Sequence, residues 1–289
     1  MDLSSFQITL ISLEILARAF GGMLLGRSFN LPGFKPTGSW SGRLAYWPVS
    51  APEAALLFIL IILLVIVSQG LLTHFLGGTI KTSSDQPGLG MVVNGLATHG
   101  GGLLAWPLFS LVRAGLYADY NTTPPAPASP APDRYGWKQI AGAGFITWIT
   151  AFALVALVSW GWTSLLSLLG VPIEPQDSIA IFKNTRSPFV LTGMFVVACV
   201  LAPINEEMFF RRGLYHFLRQ RFGRTIALSV SASFFGLIHF NLAGFFPLAT
   251  LGVMLALAYE RTGDVRVPMI AHGLFNLNTI IALLAGLSA

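Results

Sequence analysis

Apolar positions come in long blocks separated by short polar connections. The blocks fall near residues 5–26, 54–73, 91–112, 139–168, 188–204, 225–240, 247–260 and 267–286. Most are close to the length of about 20 residues that crosses a hydrocarbon core as a helix. The second, AALLFILIILLVIVSQGLL, is unambiguous. The first is the weakest, because Glu14 and Arg18 interrupt it. Spaced i,i+4, those two can neutralise each other on one face, and Gly22 with Gly26 offers a small-residue packing surface. The fifth block continues past a pair of carboxylates. The pattern predicts an all-α fold, a polytopic transmembrane bundle of about eight helices. The low-complexity stretch TTPPAPASPAP (Thr122–Pro132) reads as an extended polyproline-like linker. It divides an N-terminal membrane region of about three helices (1–120) from a C-terminal group of five (137–289), with 121–136 as the linker. No internal repeat is visible.

Composition strengthens this picture. The chain is 54% hydrophobic and 10% charged over 289 residues, with mean hydropathy +0.70. Soluble domains carry about 25% charged residues, so a water-exposed globular surface could not be covered. The single cysteine, Cys199, lies in an apolar run; it provides neither a disulfide framework nor a CxxC metal pattern. The start MDLSSFQ lacks a basic n-region, so no cleavable signal peptide is expected.

The net charge of +5 raises nucleic acid as a partner, but the basic residues sit in short loops, where orientation explains them. The expected partners are the bilayer and a peptide, with no nucleic acid. If the loop carrying Arg219, Arg221 and Arg224 is cytoplasmic, thirteen of the 17 lysines and arginines fall on that side, as the positive-inside rule requires. Lys81, Lys183 and Arg186 fall opposite, Arg18 lies within a span, and both termini are expected outside.

Ionisable residues in membrane helices are costly and carry a functional hypothesis by default. In PINEEMFFRRG (Pro203–Gly213), Glu206 and Glu207 head a helix that Pro203 punctuates. Glu207 and Arg211 lie i,i+4 on one face and can pair. Glu206 is five residues from Arg211, roughly 140° around the helix, so the same arginine does not neutralise it and it stays available as a general base. His239 closes the apolar SASFFGLIHFN, one turn after Phe235. His272 and Asn276, in PMIAHGLFNLN, share one helix face. A buried imidazole and carboxamide need hydrogen-bonding partners, so these faces must turn into the bundle or a wet cavity. Counted at about 1.5 Å per residue, Glu206 and His239 reach similar depth from the Arg219–Arg224 loop, whereas His272 counts about 10 Å shallower.

Glu206-Glu207-x-x-x-Arg211, Phe235-x-x-x-His239 and His272-x-x-x-Asn276, in that order on successive helices, resemble the CAAX prenyl protease and bacteriocin-processing family, which includes the Rce1-type type II CAAX proteases. The similarity covers about residues 187–289. It implies a membrane-embedded endopeptidase in which Glu206, assisted by His239, activates water. His272 and Asn276 would bind the oxyanion, and Glu207 with Arg211 would structure the site. One departure is visible: the family has glycine directly after the motif arginine, whereas Arg212 intervenes here before Gly213.

No cofactor is expected, but zinc stays open, since Glu206, His239 and His272 are possible ligands. Against zinc, HExxH is absent, the histidines lie 33 positions apart, and asparagine serves better as an oxyanion donor. Two other classes use the same fold: a non-proteolytic scaffold or immunity protein, indifferent to Glu206, and a proton-coupled transporter, for which no inverted repeat is seen. His99-Gly100-Gly101-Gly102 has the look of a lipase oxyanion loop, but no GxSxG accompanies it, and helix packing or a bend is expected.

Overall fold

The structure, a computed structural model, describes residues 4–28, 44–83, 85–119, 135–174 and 176–287. Lys35, Arg43, Arg134 and nearly all of the predicted 121–136 linker lie outside the described residues. All regular structure among the described residues is helical: α1 (Ser5–Ser28), α2 (Ala51–Thr82), α3 (Gln86–Asp119), α4 (Trp137–Leu168), the short α5 (Asp177–Asn184), α6 (Pro188–Val196), α7 (Ala202–Glu207), α8 (His216–Leu237), α9 (Leu242–Thr262) and α10 (Arg266–Leu284). Two π-helical segments, Val197–Leu201 and Met208–Tyr215, join α6, α7 and α8 into one continuous helical stretch.

Among the described residues six helices are long and apolar enough to cross a membrane. One of them, Pro188–Leu237, runs for 50 residues and is broken at Gly223, whose φ of 83° and ψ of 177° belong to a region only glycine enters readily. That break separates the fifth predicted span from the sixth. α3 matches its neighbours in length but carries Asn94, Thr98, His99 and Arg113, and it falls outside the six. Pro203 does not start a helix. It is buried within the continuous stretch, so the two carboxylates sit mid-helix instead of at a helix head.

α2 buries only Ala54, Leu57 and Ile61, one stripe at helical spacing turned toward α3, and leaves Ile59, Ile62 and Ile66 exposed as a lipid face. Its start is a capping box between Ser50 and Glu53, and Glu53 also receives Arg113 Nε at 2.6 Å from the far end of α3. α1 packs on α4. Glu14 and Arg18 pair at 2.9 Å as expected, but the packing glycine is Gly21. Gly22 faces open space, while a Cβ on Gly21 would overlap the carbonyl of Ile149. The next residue points about 100° away from the contact, which is why the predicted small-residue face is one position out of phase.

Lipid tails give helices no hydrophobic reason to associate, so close backbone approach and internal polar contacts must hold a bundle together. α3 supplies the first through Gly88, Gly95 and Gly102, seven apart. Cβ atoms there would overlap Thr185, Val197 and Asn205 respectively, so α3 runs alongside the chain from Thr185 through α7 in the same direction. Glu260 of α9 supplies the second. It is buried and accepts from Arg219 Nε at 2.7 Å and the Tyr215 hydroxyl at 3.0 Å, with Arg224 Nε at 2.9 Å.

Candidate active site

The site is built around α7, six residues of α-helix between two π-helical segments. The first π segment follows from the backbone of Pro203, which has no N–H. The N–H of Ala202 bonds Val197 O, five residues back, and the next donor in that register would be Pro203. Ala198 O is therefore left without a helical partner, and Asn276 Nδ2 donates to it at 2.8 Å. Beside this contact, a Cβ at Gly273 would stand 2.7 Å from Cys199 O, so α10 lies tightly on the first π segment. The second segment contains Arg212, the residue that interrupts the expected Arg-Gly pair. A π turn absorbs one extra residue in a helix. Arg212 is turned outward with its guanidinium 5.9 Å from the Trp106 ring, and Gly213 remains buried.

Three consecutive side chains of α7 point in three directions. Glu207 is fully buried; its Oε2 lies 3.0 Å from Arg211 Nε and its Oε1 accepts from His272 Nδ1 at 2.9 Å. Arg211, equally buried, donates from Nη2 to Gly252 O at 3.1 Å and lies 4.7 Å from the Phe235 ring centroid. Glu206 turns away from this pair into a cavity of about 370 Å³. Its Oε2 is buried without a hydrogen-bond partner, and His272 Nε2 stands 3.9 Å from it. Asn205 turns to α3, where its Nδ2 donates to His99 Nδ1 at 3.4 Å.

His239, in the turn after α8, lines the same cavity as Glu206, His272 and Asn276. Its Nδ1 lies 2.7 Å from Phe235 O. A carbonyl only accepts, so Nδ1 carries the proton and the neutral ring presents its Nε2 lone pair. Phe235 is the hub that sequence spacing marked only as a neighbour of His239: fully buried, it touches Arg211, His239 at 5.1 Å and His272 at 5.6 Å between ring centroids. The rest of the cavity is largely apolar, with Met91 from α3, Ile179 and Phe182 from α5, and Leu248, Phe275 and Ile280.

All six residues singled out in the sequence are thus gathered in one place, the cavity four together and Glu207 with Arg211 behind them. The depth count that set His272 apart was misleading. α10 begins at Arg266, one residue before the predicted 267, but helical rise compares depths only between helices that start from one plane. Among the described residues no three His, Cys, Asp or Glu side chains are grouped to hold a metal ion. Three contributions were not anticipated. Asn205 and His99 belong to motifs that had been assigned other roles. Glu260, the sole acid of α9, and the glycine repeat on α3 were both visible signals.

Fold and site together define a polytopic integral membrane protein with a buried carboxylate–histidine centre. Residues 188–278 match the Rce1-like family, described as type II CAAX prenyl endopeptidase Rce1-like. The chain is 28% identical over 150 residues to YdiL of Bacillus subtilis, whose name assigns it provisionally to the membrane peptidases. It is 28% identical over 141 residues to the UPF0177 protein YbdI of Lactococcus lactis. These matches cover 51% and 47% of this chain, and 60% and 75% of the relatives' own lengths. No solved structure gives a significant match.

Proposed function

We propose that the protein is an intramembrane endopeptidase that hydrolyses peptide bonds with water activated by Glu206. The observation that carries this is the unpartnered Glu206 oxygen, facing a largely apolar cavity shared with His239, His272 and Asn276. Glu206 takes a proton from water as the water oxygen bonds to the carbonyl carbon. The His239 Nε2 lone pair accepts the second water hydrogen and fixes the direction of attack. The carbonyl π pair moves onto oxygen, where a second N–H of Asn276, beyond the one bonded to Ala198, donates; His272, whose Nδ1–H is committed to Glu207, donates there through Nε2–H as the imidazolium. The proton on Glu206 then passes to the amide nitrogen as the C–N bond breaks. Glu207 and Arg211 hold the imidazole of His272 without touching substrate. Oriented donors in a water-poor site suit the charge that develops on the oxyanion.

The substrate is an apolar peptide segment reached from the bilayer, in keeping with the cavity lining. The test is cleavage by purified protein in lipid against C-terminal and membrane-peptide libraries, with wild type, Glu206→Gln and His239→Ala compared with and without a strong chelator. Cleavage lost in both variants and insensitive to chelator is the expected result. Chelator-sensitive cleavage would move the chemistry to a metal, and equal cleavage by Glu206→Gln and wild type would end the assignment. A biological effect that survives Glu206→Gln would point to a non-proteolytic role.

A further inference from the structure

Residues 44–119 lie outside the family-matched segment, yet α3 reaches the residue next to Glu206. Gly102 has no Cβ, and the space it leaves is filled by the Asn205 amide, whose Oδ1 a Cβ would overlap. Three residues earlier on α3, His99 Nδ1 accepts from Asn205 Nδ2 at 3.4 Å. An amide nitrogen can only donate, so the neutral His99 ring holds its own proton on Nε2. Polar contacts also tie this part of α3 to α2: Gln69 Nε2 donates to Asn94 Oδ1 at 2.9 Å and Thr98 Oγ1 at 3.1 Å.

Successive α-helical side chains are about 100° apart. Asn205 is held from one side by α3, and Glu207 from the other by Arg211 and His272 on α10. The rotation of α7 about its own axis is therefore clamped on both flanks of Glu206, the one carboxylate left facing the cavity. The titratable and charged groups around Glu206 are His99 from α3, Glu207 and Arg211 from its own helical stretch, His239 after α8 and His272 from α10.

We infer that His99, working through Asn205 in the space left by Gly102, is a positioning residue for Glu206, so that the N-terminal helices form part of the active site. The inference rests on the role proposed above for Glu206. The test combines kinetics with a readout that needs no substrate. His99→Ala and Asn205→Ala are expected to lower kcat by about 10- to 100-fold, the cost of a small misplacement of a catalytic group, with KM little changed. The double variant should fall no further than either single one. His99→Gln, which can still accept from Asn205, should recover most of the rate, and Gly102→Ala should reproduce the loss.

In parallel, the pH profile for modification of Glu206 by a hydrophobic carbodiimide, read by mass spectrometry, is expected to shift in His99→Ala and return in His99→Gln. Identical labelling profiles in wild type and His99→Ala, or additive losses in the double variant, would overturn the clamp. If wild type cleaves nothing while His99→Ala alters Glu206 labelling, the clamp stands and the peptidase assignment fails.

Discussion

His272 and Glu207, 65 positions apart in the chain, meet through a 2.9 Å hydrogen bond from Nδ1 to Oε1. The contact fixes which imidazole nitrogen faces Glu206 and joins α10 to α7 at the level of the cavity. It also divides the adjacent glutamates: Glu207 is committed to Arg211 and His272, and Glu206 is left facing the cavity.

The two carboxylates should respond oppositely to amide substitution. Glu207→Gln leaves the buried Arg211 charge without its partner, and breaking a buried pair costs about 3–5 kcal/mol. Glu206→Gln removes a carboxylate that makes no hydrogen bond through Oε2, so it should leave stability unchanged or improved while abolishing cleavage. Thermal unfolding in detergent, measured beside activity, separates the two; equal destabilisation would contradict the division of roles.

Asn276→Ala should act on both fold and rate. It exposes Ala198 O as an unsatisfied acceptor, costing about 1–3 kcal/mol, and it removes the proposed oxyanion donor, a loss expected to cost about 10²–10³ in kcat. Asn276→Asp should be worse for stability, because a carboxylate would face the Ala198 carbonyl. Unfolding temperature and kcat measured for both variants check the order.

Glu260→Gln should weaken the end of the bundle far from the cavity. The neutral amide no longer balances Arg219 and Arg224, whereas Tyr215→Phe loses only one hydrogen bond, of the order of 1–2 kcal/mol. Denaturation should rank Glu260→Gln below Tyr215→Phe, with cleavage kinetics of the folded fraction unaltered in both.

Asp264, in the turn between α9 and α10, predicts a pH effect. Its hydrogen bonds from the Arg266 side chain, together with the charge of that guanidinium, hold its carboxyl below the ordinary 3.8, with Arg266 Nη2 at 2.6 Å. A depressed folded-state pKa means stability that is fully present above the unfolded value and is lost as pH falls through the folded one. The unfolding-temperature gap between wild type and Asp264→Asn should be constant near neutrality and close below pH of about 4. A gap unchanged at low pH would count against the ion pair.

Several features were legible from residue order because their cause is local. Block hydropathy and span length mark the helices. The i,i+4 spacing pairs Glu207 with Arg211 and Glu14 with Arg18, and Glu206 is out of phase with Arg211 for the same geometric reason. The seven-residue repeat of Gly88, Gly95 and Gly102 was equally present in the chain, but a small-residue repeat does not say which neighbour it faces.

Tertiary structure decided what depends on contacts between distant segments. Pro203 looked like a helix boundary, yet a π-helical segment with an Asn276 amide on Ala198 O lets the helix continue, because another element supplies a donor to the carbonyl left unpaired. Arg212 looked like a disruption of the motif, and a second π segment holds it. His272 looked too shallow, and only the relative placement of α10 against α7 brings it between two carboxylates. His99 had no visible task until α3 was set beside Asn205. Helices and their charged faces follow from spacing along one chain; which face meets which, and therefore which carboxylate is spent and which is open, follows from packing between segments that spacing cannot relate.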